Sequence, residues 1–349
     1  MSQTLPRLTY RLYVGVDVAA TSFEAAWQSA DGPVGAAHHF VQTSTDWARF
    51  QQQLLATGSA PPEMLLVLEA TGSYWVALAV HLHAAGFQVS VVNPAQVHAW
   101  ARSLTRRSKT DALDAQLLSQ FASERRPAPW TPPPHVYHEL RQRLVARDGL
   151  LEMRQQARNQ LHALRQWPVV IAAVEEQLLT VIATLDTQLA ALDRQVAALL
   201  KDGAWAGSAR RLASIPGYGP VTIGWILVAT ANFTTCPTAE ALVSYAGLSP
   251  LQRESGTSVR GRAALGHGGH GRLRQATYMA TLSAAQHNPA IKAFYERLRA
   301  AGKPIKVARC AAARKLLHLG FAVVTKDQDF DPAYQQRQPR TTSVPAVAS

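Results

Sequence analysis

The first 130 residues alternate short apolar runs with amphipathic segments, and this alternation constrains the fold more than any other feature. Runs rich in Val, Leu and aromatic residues predict strands over 13–18, 22–28, 38–42, 64–69 and 88–92. Helical spacing of apolar residues predicts helices over 45–56 and 73–85, and another from about residue 111. The predicted order is strand, strand, strand, helix, strand, helix, strand, helix, which indicates a mixed α/β sheet.

Two of these predicted strands end in an acidic residue. Three antiparallel strands followed by parallel crossovers are the pattern of a ribonuclease H-like fold, in which the first and fourth strands lie side by side. Asp17 ends the first strand and Glu69 the fourth, so both are expected to face one cleft. Asp17 alone would equally suit a turn residue. Glu69 follows a buried apolar run, where an unpaired acid is costly.

Residues 109–115 supply two more acids. Asp111 and Asp114 are three residues apart in an amphipathic helix and therefore share a face. Asp is common in the first turn of a helix, where it meets the positive end of the dipole, so the pair alone indicates only a helix start. Together with Asp17 and Glu69, however, it makes four oxygen ligands that suit a hard cation, Mg²⁺ or Mn²⁺.

The charge balance points to a polyanionic partner. The chain has 349 residues, enough for two or three domains, and its 35 Lys and Arg against 23 acids give a net charge of +12. Nucleic acid is the first candidate. No apolar run reaches membrane-spanning length and no signal peptide is apparent, so we expect a cytoplasmic, nucleoid-associated protein without a membrane partner. Cys236 and Cys310 have neither ligand spacing nor a disulfide framework, as in a reducing compartment.

The middle of the chain predicts a long helical hairpin. A Pro-rich stretch over 126–134 marks a boundary, and residues 135–201 are rich in Leu, Ala, Gln, Arg and Glu, with a break at Trp167 and Pro168. Apolar residues at spacings of three and four indicate a coiled coil, which would serve dimerisation or act as a spacer. The expected domains are 10–128, 135–203 and 208–326, with a disordered tail over 331–349.

Two stretches of the mostly helical carboxyl-terminal part have phosphate-binding character. Residues 215–219 read Ile-Pro-Gly-Tyr-Gly between two helices and resemble a helix-hairpin-helix. There Gly217 and Gly219 would let backbone amides approach a phosphate, although a plain tight turn explains them as well. Residues 251–275 hold five arginines and several glycines, which favours a phosphate-gripping loop; its predicted contacts are Arg253, Gly256, Arg260, Arg262, Arg272 and Arg274.

The same loop contains a candidate nucleophile. Ser255 lies among these arginines, but a serine needs a base, a metal ion or oxyanion stabilisation to attack, so its position alone is a weak indication. His267 and His270 suit polar loop residues better than metal ligands. Further on, Lys306, Arg309, Arg314 and Lys315 lie on the last predicted helix, and they suit either a solvated face or a backbone-binding one.

Six motifs together resemble the insertion-sequence-110 family of transposases, relatives of the Piv-type DNA invertases. They occupy 14–17, 68–74, 92–94, 109–115, 215–219 and 246–250 followed by Ser255-Gly256, in the family's order, and the resemblance covers about residues 12–325. It implies a RuvC-like domain whose quartet, Asp17, Glu69, Asp111 and Asp114, binds a divalent metal. It also implies a carboxyl-terminal transposase domain in which Ser255 attacks a DNA phosphodiester.

The resemblance further implies a structured bridge RNA that chooses donor and target DNA, and composite active sites in a dimer or tetramer. One departure is visible: the family often has a lysine shortly after the first aspartate, where this chain has Val18-Ala19-Ala20-Thr21. Ser249 and Ser258 are other serines near Ser255. The alternatives are a junction nuclease with water as nucleophile, an actin-like ATPase, whose later phosphate loops are missing from the sequence, and a catalytically silent nucleic-acid-binding protein.

Overall fold

The computed structural model describes residues 9–70, 72–102, 111–251, 254–255, 259–260, 264–265 and 268–333, with the backbone alone for residue 111 and for the paired residues between 251 and 265. The predicted contacts Arg253, Gly256 and Arg262 lie outside the described residues. So do His267 and nearly all of the predicted tail. The chain divides into two compact units, 1–132 and 133–349.

The amino-terminal unit is a five-stranded mixed sheet with helices on both faces. Its elements are β1 (Leu12–Val18), β2 (Ser22–Ser29), β3 (His38–Val41), α1 (Ser44–Leu55), β4 (Met64–Glu69), α2 (Trp75–Ala84), β5 (Gln88–Val92), α3 (Pro94–Ala101) and α4 (Asp111–Arg125). The strand order is β3-β2-β1-β4-β5. β2 is antiparallel to β1 and β3, whereas β4 is parallel to β1 and β5. The predicted order of elements is confirmed as far as β5 and again at α4, but the sequence analysis did not predict α3 between them.

The central strands are buried on both faces, which explains their continuous apolar sequence. Successive side chains point to opposite sides of the sheet. Val14, Val16, Leu66 and Leu68 pack on one side with apolar residues of α1 and α2. The residues between them pack on the other side with α3 and α4.

The carboxyl-terminal unit begins with two long helices, α5 (His135–Leu164) and α6 (Ala172–Asp202). They form the expected helical hairpin, because ion pairs join them in antiparallel order. Arg147 meets Asp193 at 2.5 Å, Arg154 meets Asp186 at 2.6 Å, and Arg165 meets Glu175 at 2.7 Å. Few residues in the half of the hairpin nearest its turn are buried.

The remaining helices share a core with the other end of that hairpin. They are α7 (Ala206–Ala213), α8 (Pro220–Ala229), α9 (Ala239–Tyr245), α10 (Gly271–His287), α11 (Pro289–Ala300) and α12 (Ile305–Thr325). Seven consecutive residues of α8, from Ile223 to Ala229, are buried, so this helix lies at the centre. Leu140, Leu144 and Val196 of the hairpin belong to the same core. The hairpin and the helices after it therefore form one unit.

The segment between α9 and α10 contains four two-residue strands where the sequence predicts a loop. They are β6 (Pro250–Leu251), β7 (Glu254–Ser255), β8 (Val259–Arg260) and β9 (Ala264–Leu265). β6 pairs with β9 and β7 with β8, both antiparallel, so the segment folds back on itself. Across the described residues, no helix is both long and apolar enough to cross a membrane.

Candidate active site and nucleic-acid interface

Asp17 and Glu69 lie side by side at one edge of the sheet. β1 and β4 are parallel, and the last paired positions are Val16 and Leu68, each directly before one of the acids. Both acids are half-buried. The carboxyl ends of adjacent parallel strands form one edge, which is the usual location of ligand sites in open α/β sheets. The prediction that these two strand ends are neighbours is confirmed.

The two acids also belong to the same face of the sheet. Tyr13 in β1 and Leu65 and Val67 in β4 pack against residues of α4. Side chains alternate along a strand, so Asp17 and Glu69 continue this series. Both carboxylates are therefore on the side of the sheet that α4 covers.

The direction of α4 brings its first turn to the same edge. The Ser119 hydroxyl donates a hydrogen bond to the Tyr13 carbonyl at 3.0 Å. One turn earlier, the Ala115 carbonyl lies against Gly15, because a Cβ added to Gly15 would be 2.2 Å from that oxygen. Moving toward the start of α4 thus means moving toward Asp17. Asp114 is half-buried in this first turn, and residue 111 lies one helical turn before Ala115.

These positions fit a divalent cation in residue type and in backbone placement. Carboxylates are the ligands that Mg²⁺ and Mn²⁺ prefer. Among the described side chains, no group of three or more His, Cys, Asp or Glu is arranged to hold a metal ion. Asp17, Glu69 and Asp114 therefore do not form such a group, and the Asp111 side chain lies outside the described residues, so the quartet stays a prediction.

The candidate nucleophile lies in the folded-back segment of the second unit. The Ser255 backbone pairs with Val259, and the Glu254 backbone pairs with Arg260. Ser255 is thus the last residue of β7. The Arg260 backbone lies opposite Glu254, and the clustering of Ser255 with the arginines stays a prediction.

Two of the predicted phosphate contacts are engaged with protein groups. Arg272 forms ion pairs with Asp148 at 3.3 Å and with Glu152 at 3.1 Å. Burial raises the pKa of the Asp148 carboxyl, and the nearby Arg272 opposes that shift. Arg274 donates to the main-chain carbonyls of Ala246 and Gly268 at 3.3 and 2.8 Å. Both contacts provide structural reasons for an arginine at these positions.

The turn over 215–219 joins α7 to α8, as the helix-hairpin-helix resemblance predicts. Gly217 has φ of +109°, and a Cβ there would lie 2.5 Å from the Ala284 Cβ, so packing against α10 requires this glycine. The Tyr218 hydroxyl donates to the Leu316 carbonyl at 2.8 Å. A Cβ on Gly219 would meet open space at the start of α8. Gly217 thus has a packing role, while the Gly219 backbone lies open at the amino end of α8.

His270 caps α10. Its Nδ1 accepts a hydrogen bond from the Leu273 amide at 3.1 Å, and burial lowers the pKa of its imidazole. Trp225 and Tyr245 lie beside the ring. His270 thus has a structural role as a helix cap, where the sequence analysis predicted a polar loop residue.

A basic stretch covers α11 and α12, and the sequence analysis identified its four cations on α12 but missed the four over residues 292–303. Residues 289–325 contain eight Lys and Arg against the single acid Glu296. None of the eight forms an ion pair with a described acid, whereas several arginines of α5 do. A charge count over this window would have found it. The eight cations, here called the α11–α12 basic surface, are Lys292, Arg297, Arg299, Lys303, Lys306, Arg309, Arg314 and Lys315.

Two family models match the chain, and together they span more than half of it. The DEDD transposase model of the IS110 family matches residues 14–166. The model described as transposase IS116/IS110/IS902 family matches residues 209–296. The first range contains Asp17, Glu69, Asp111 and Asp114, and the second contains Ser255.

Several individual proteins are similar as well. The pilin gene-inverting protein of Moraxella bovis is 29% identical over 340 residues, which cover 92% of this chain and 98% of that protein. An insertion element IS110 protein of 43.6 kDa from Streptomyces coelicolor is 37% identical over 128 residues, 37% of this chain and 30% of that protein. A 42 kDa protein of insertion element IS900 from Mycobacterium paratuberculosis is 27% identical over 179 residues, 51% of this chain and 44% of that protein.

Proposed function

Since the chain belongs to the IS110 family of transposases, we propose that it cuts and rejoins DNA through Ser255, assisted by a divalent metal at its acid quartet. It is an enzyme of DNA recombination, a transposase or site-specific recombinase. The observation that supports the proposal most is the convergence of Asp17, Glu69 and the first turn of α4 at one edge of the sheet. This arrangement also supports a ribonuclease H-like fold for the first unit.

The acids have a specific task in this mechanism. The carboxylates of Asp17, Glu69, Asp111 and Asp114 would hold Mg²⁺ or Mn²⁺, which when bound supplies Lewis-acid polarisation of the scissile phosphate. Four carboxylates at one edge repel each other, so they favour a cation between them. Glu69 and Asp17 are on strands whose register is fixed by buried neighbours, and their backbones are therefore held rigidly.

The serine and the arginines of the second unit perform the exchange. Attack of the Ser255 hydroxyl oxygen on phosphorus forms a serine phosphodiester, and the DNA hydroxyl that leaves takes up the proton. Arg253, Arg260 and Arg262 neutralise the charge that develops on the phosphate oxygens. A second DNA hydroxyl then attacks the serine ester and restores a phosphodiester. The bond energy is conserved in the ester, so rejoining needs no ATP.

The partners follow from the same proposal. DNA is the substrate, and the name of the Moraxella bovis relative describes inversion of a pilin gene by that protein. The α11–α12 basic surface supports contact with DNA phosphates outside the reacting centre. We further propose that a structured guide RNA selects donor and target, as the family resemblance implies, and that the protein acts at the nucleoid.

We also propose a homo-oligomer built through the α5–α6 hairpin. Apolar side chains near its turn are exposed: Trp167 at 69% and Ile171 at 62% in the connection, and Val174 at 40% and Val181 at 48% on one face of α6. Exposed apolar residues that recur along one helix face indicate a surface that another helix covers. A second copy of the same hairpin would supply such a helix, and a dimer or tetramer would follow.

The test is a search for a protein–DNA adduct. Purified protein is incubated with Mg²⁺, labelled donor and target DNA, and the element's flanking noncoding RNA, and the products are separated on a denaturing gel. We expect a protein-linked band that is lost in Ser255→Ala and in Asp111→Ala. Ser249→Ala is the matched control and should keep the band. Hydrolysed DNA ends without any adduct would instead support the junction nuclease with water as nucleophile.

A further inference from the structure

The two ends of the segment that carries Ser255 meet in a narrow neck. We call residues 248–267 the serine hairpin, and residues 245–247 and 268–270 its neck. The His270 amide donates to the Tyr245 carbonyl at 2.7 Å. The chain therefore leaves α9 and returns to α10 through two backbone segments that touch each other.

Arg274 joins the two sides of this neck. Its Nη1 atom donates to the Gly268 carbonyl at 2.8 Å and to the Ala246 carbonyl at 3.3 Å. A guanidinium NH₂ group has two hydrogens, so one nitrogen can serve both acceptors. Hydrogen bonds from a charged donor are stronger than those from a neutral donor. A single side chain on the first turn of α10 thus ties the entrance of the hairpin to its exit.

The neck is also too narrow for side chains. Gly247 has φ of +71°, and a Cβ there would lie 2.3 Å from both Arg274 Nη1 and the Gly268 oxygen. Gly269 has φ of +92°, and a Cβ there would lie 2.6 Å from the Gly247 nitrogen. Real Cβ atoms do not approach so closely, and the positive φ independently favours glycine. Both glycines are therefore required by the closed neck.

We propose that Arg274 is a positioning residue that fixes the orientation of the serine hairpin, and that it does not bind DNA phosphate. The proposal rests on the proposed role of Ser255 as nucleophile. Among its described residues the hairpin has two pairs of two-residue strands, and such short antiparallel pairs are weak on their own. Its direction relative to α9 and α10 is consequently set at the neck. A nucleophile displaced by about 1 Å loses roughly a hundredfold in rate.

The two roles of an arginine make opposite predictions. A phosphate ligand contributes to DNA affinity and to its salt dependence, and each lost contact reduces the slope of log K against log salt by roughly 0.9. A positioning residue leaves affinity and slope unchanged and lowers the rate at saturating DNA. Measuring both quantities in one variant therefore separates the two.

The experiment compares Arg274→Gln with wild type, with Arg274→Lys and with Gly247→Ala. Arg143→Gln is the matched control, since it removes the same charge from α5, far along the chain. For each protein we measure the adduct rate at saturating DNA, the half-saturating DNA concentration and the salt slope. A second readout, independent of chemistry, is the rate at which trypsin cuts after Arg253, Arg260 and Arg262 in the folded protein. The melting temperature shows whether each variant is folded.

We expect Arg274→Gln to lower the saturated adduct rate at least tenfold, with the half-saturating concentration within twofold of wild type and the salt slope unchanged. Trypsin should cut the serine hairpin faster. Arg274→Lys should recover part of the rate, because it restores a charged donor. Gly247→Ala should reproduce the defect without any change in charge, and the double variant should be no slower than the worse single one.

Several results would overturn the proposal. One is weaker DNA binding and a shallower salt slope in Arg274→Gln at an unchanged saturated rate, since that identifies a phosphate ligand. Another is a wild-type rate and wild-type trypsin pattern in this variant. If wild type forms no adduct, the proposed function fails, and the trypsin rates alone decide whether Arg274 closes the neck. If Arg274→Gln unfolds, the adduct rate, the salt slope and the trypsin rate of Arg274→Lys and Gly247→Ala decide whether Arg274 is a positioning residue.

Discussion

At Gly15 the backbone of the sheet and the backbone of α4 lie in direct contact. A Cβ at this position would lie 2.2 Å from both the Ala115 oxygen and the Ser119 nitrogen. Backbone atoms of a packed helix cannot move aside as the end of a flexible side chain can. The contact determines how closely the first turn of α4 approaches Asp17 and Glu69, so this glycine bears on the acid site without any chemistry of its own.

We predict that Gly15→Ala destabilises the first unit by about 3 kcal/mol or more, because overpacking against backbone must push α4 away from β1. Amide hydrogen exchange of β1 and α4 should rise, and metal-dependent activity should fall with it. Gly149→Ala is the matched comparison, for which we expect the opposite change in the free energy of unfolding. Gly149 lies inside α5 with nothing near its added Cβ, so alanine there should stabilise the protein by roughly 0.5–1 kcal/mol. Unchanged exchange in Gly15→Ala would contradict the packing argument.

His270 makes stability depend on pH at the neck. Burial lowers the pKa of its imidazole below the ordinary value of 6.5, and the neutral Nδ1 is the acceptor that caps α10. The unfolded state therefore takes up the proton more readily than the folded state. The contribution to stability is complete above the unfolded pKa and is lost as the pH falls through that value toward the folded pKa.

We predict that the free energy of unfolding decreases as the pH falls through about 6.5, and that His270→Asn flattens this dependence because asparagine caps helices and does not titrate. Denaturant unfolding at a series of pH values measures how the free energy of unfolding depends on pH. Burial also lowers the pKa of His138, so His138→Gln serves as the control that identifies the slope due to that residue. An equal slope in wild type and His270→Asn would refute the assignment.

The cations on α11 and α12 differ from those on α5 in the number of acidic partners near them. On α5 several arginines meet acids of α6, so the hairpin neutralises itself. The α11–α12 basic surface has only Glu296 within its own segment. Lys292 and Arg299 are exposed and seven residues apart on α11, and Lys303 is exposed in the loop that follows it. Cations that repel each other at low salt favour a bound polyanion, which is the role proposed for this surface.

We predict that changing Lys292, Arg299 and Lys303 together to Gln weakens DNA binding equally for unrelated sequences. The slope of log K against log salt should fall by up to about 2.7, which is 0.9 for each phosphate contact. The matched control changes Arg143, Arg158 and Arg165 to Gln, the same loss of charge from residues that contact acids in the protein. Filter binding or anisotropy over a range of salt makes the comparison. Equal losses in both triple variants would mean that only net charge matters.

The proposed oligomer forms through the exposed apolar face near the turn of the hairpin. Val174 is 40% exposed and Val181 is 48% exposed on the same face of α6. We predict that Val174→Glu with Val181→Glu converts the oligomer to a folded monomer, as measured by light scattering. Ala183→Glu, an exposed position on the opposite face of α6, should leave the oligomer intact. A wild-type protein that is already monomeric would refute the proposed assembly.

The sequence by itself determined the order of elements in the first unit apart from α3, the helical hairpin and the charge. Apolar periodicity is a local property, and the strands that end at Asp17 and Glu69 are bounded by residues that favour turns. The relation between Asp17 and Glu69 also followed, because two adjacent parallel strands place their carboxyl ends together.

Only the tertiary structure decided what Gly15, Gly217, Arg272 and Arg274 do. An arginine in a glycine-rich loop looks the same in sequence whether it faces a phosphate or a carbonyl. The Ala246 and Gly268 carbonyls that Arg274 binds are 28 and 6 residues away along the chain, and Gly15 meets Ala115 across a hundred residues. Contacts between distant residues depend on how elements pack, and packing leaves no periodic signal in the residues that it brings together.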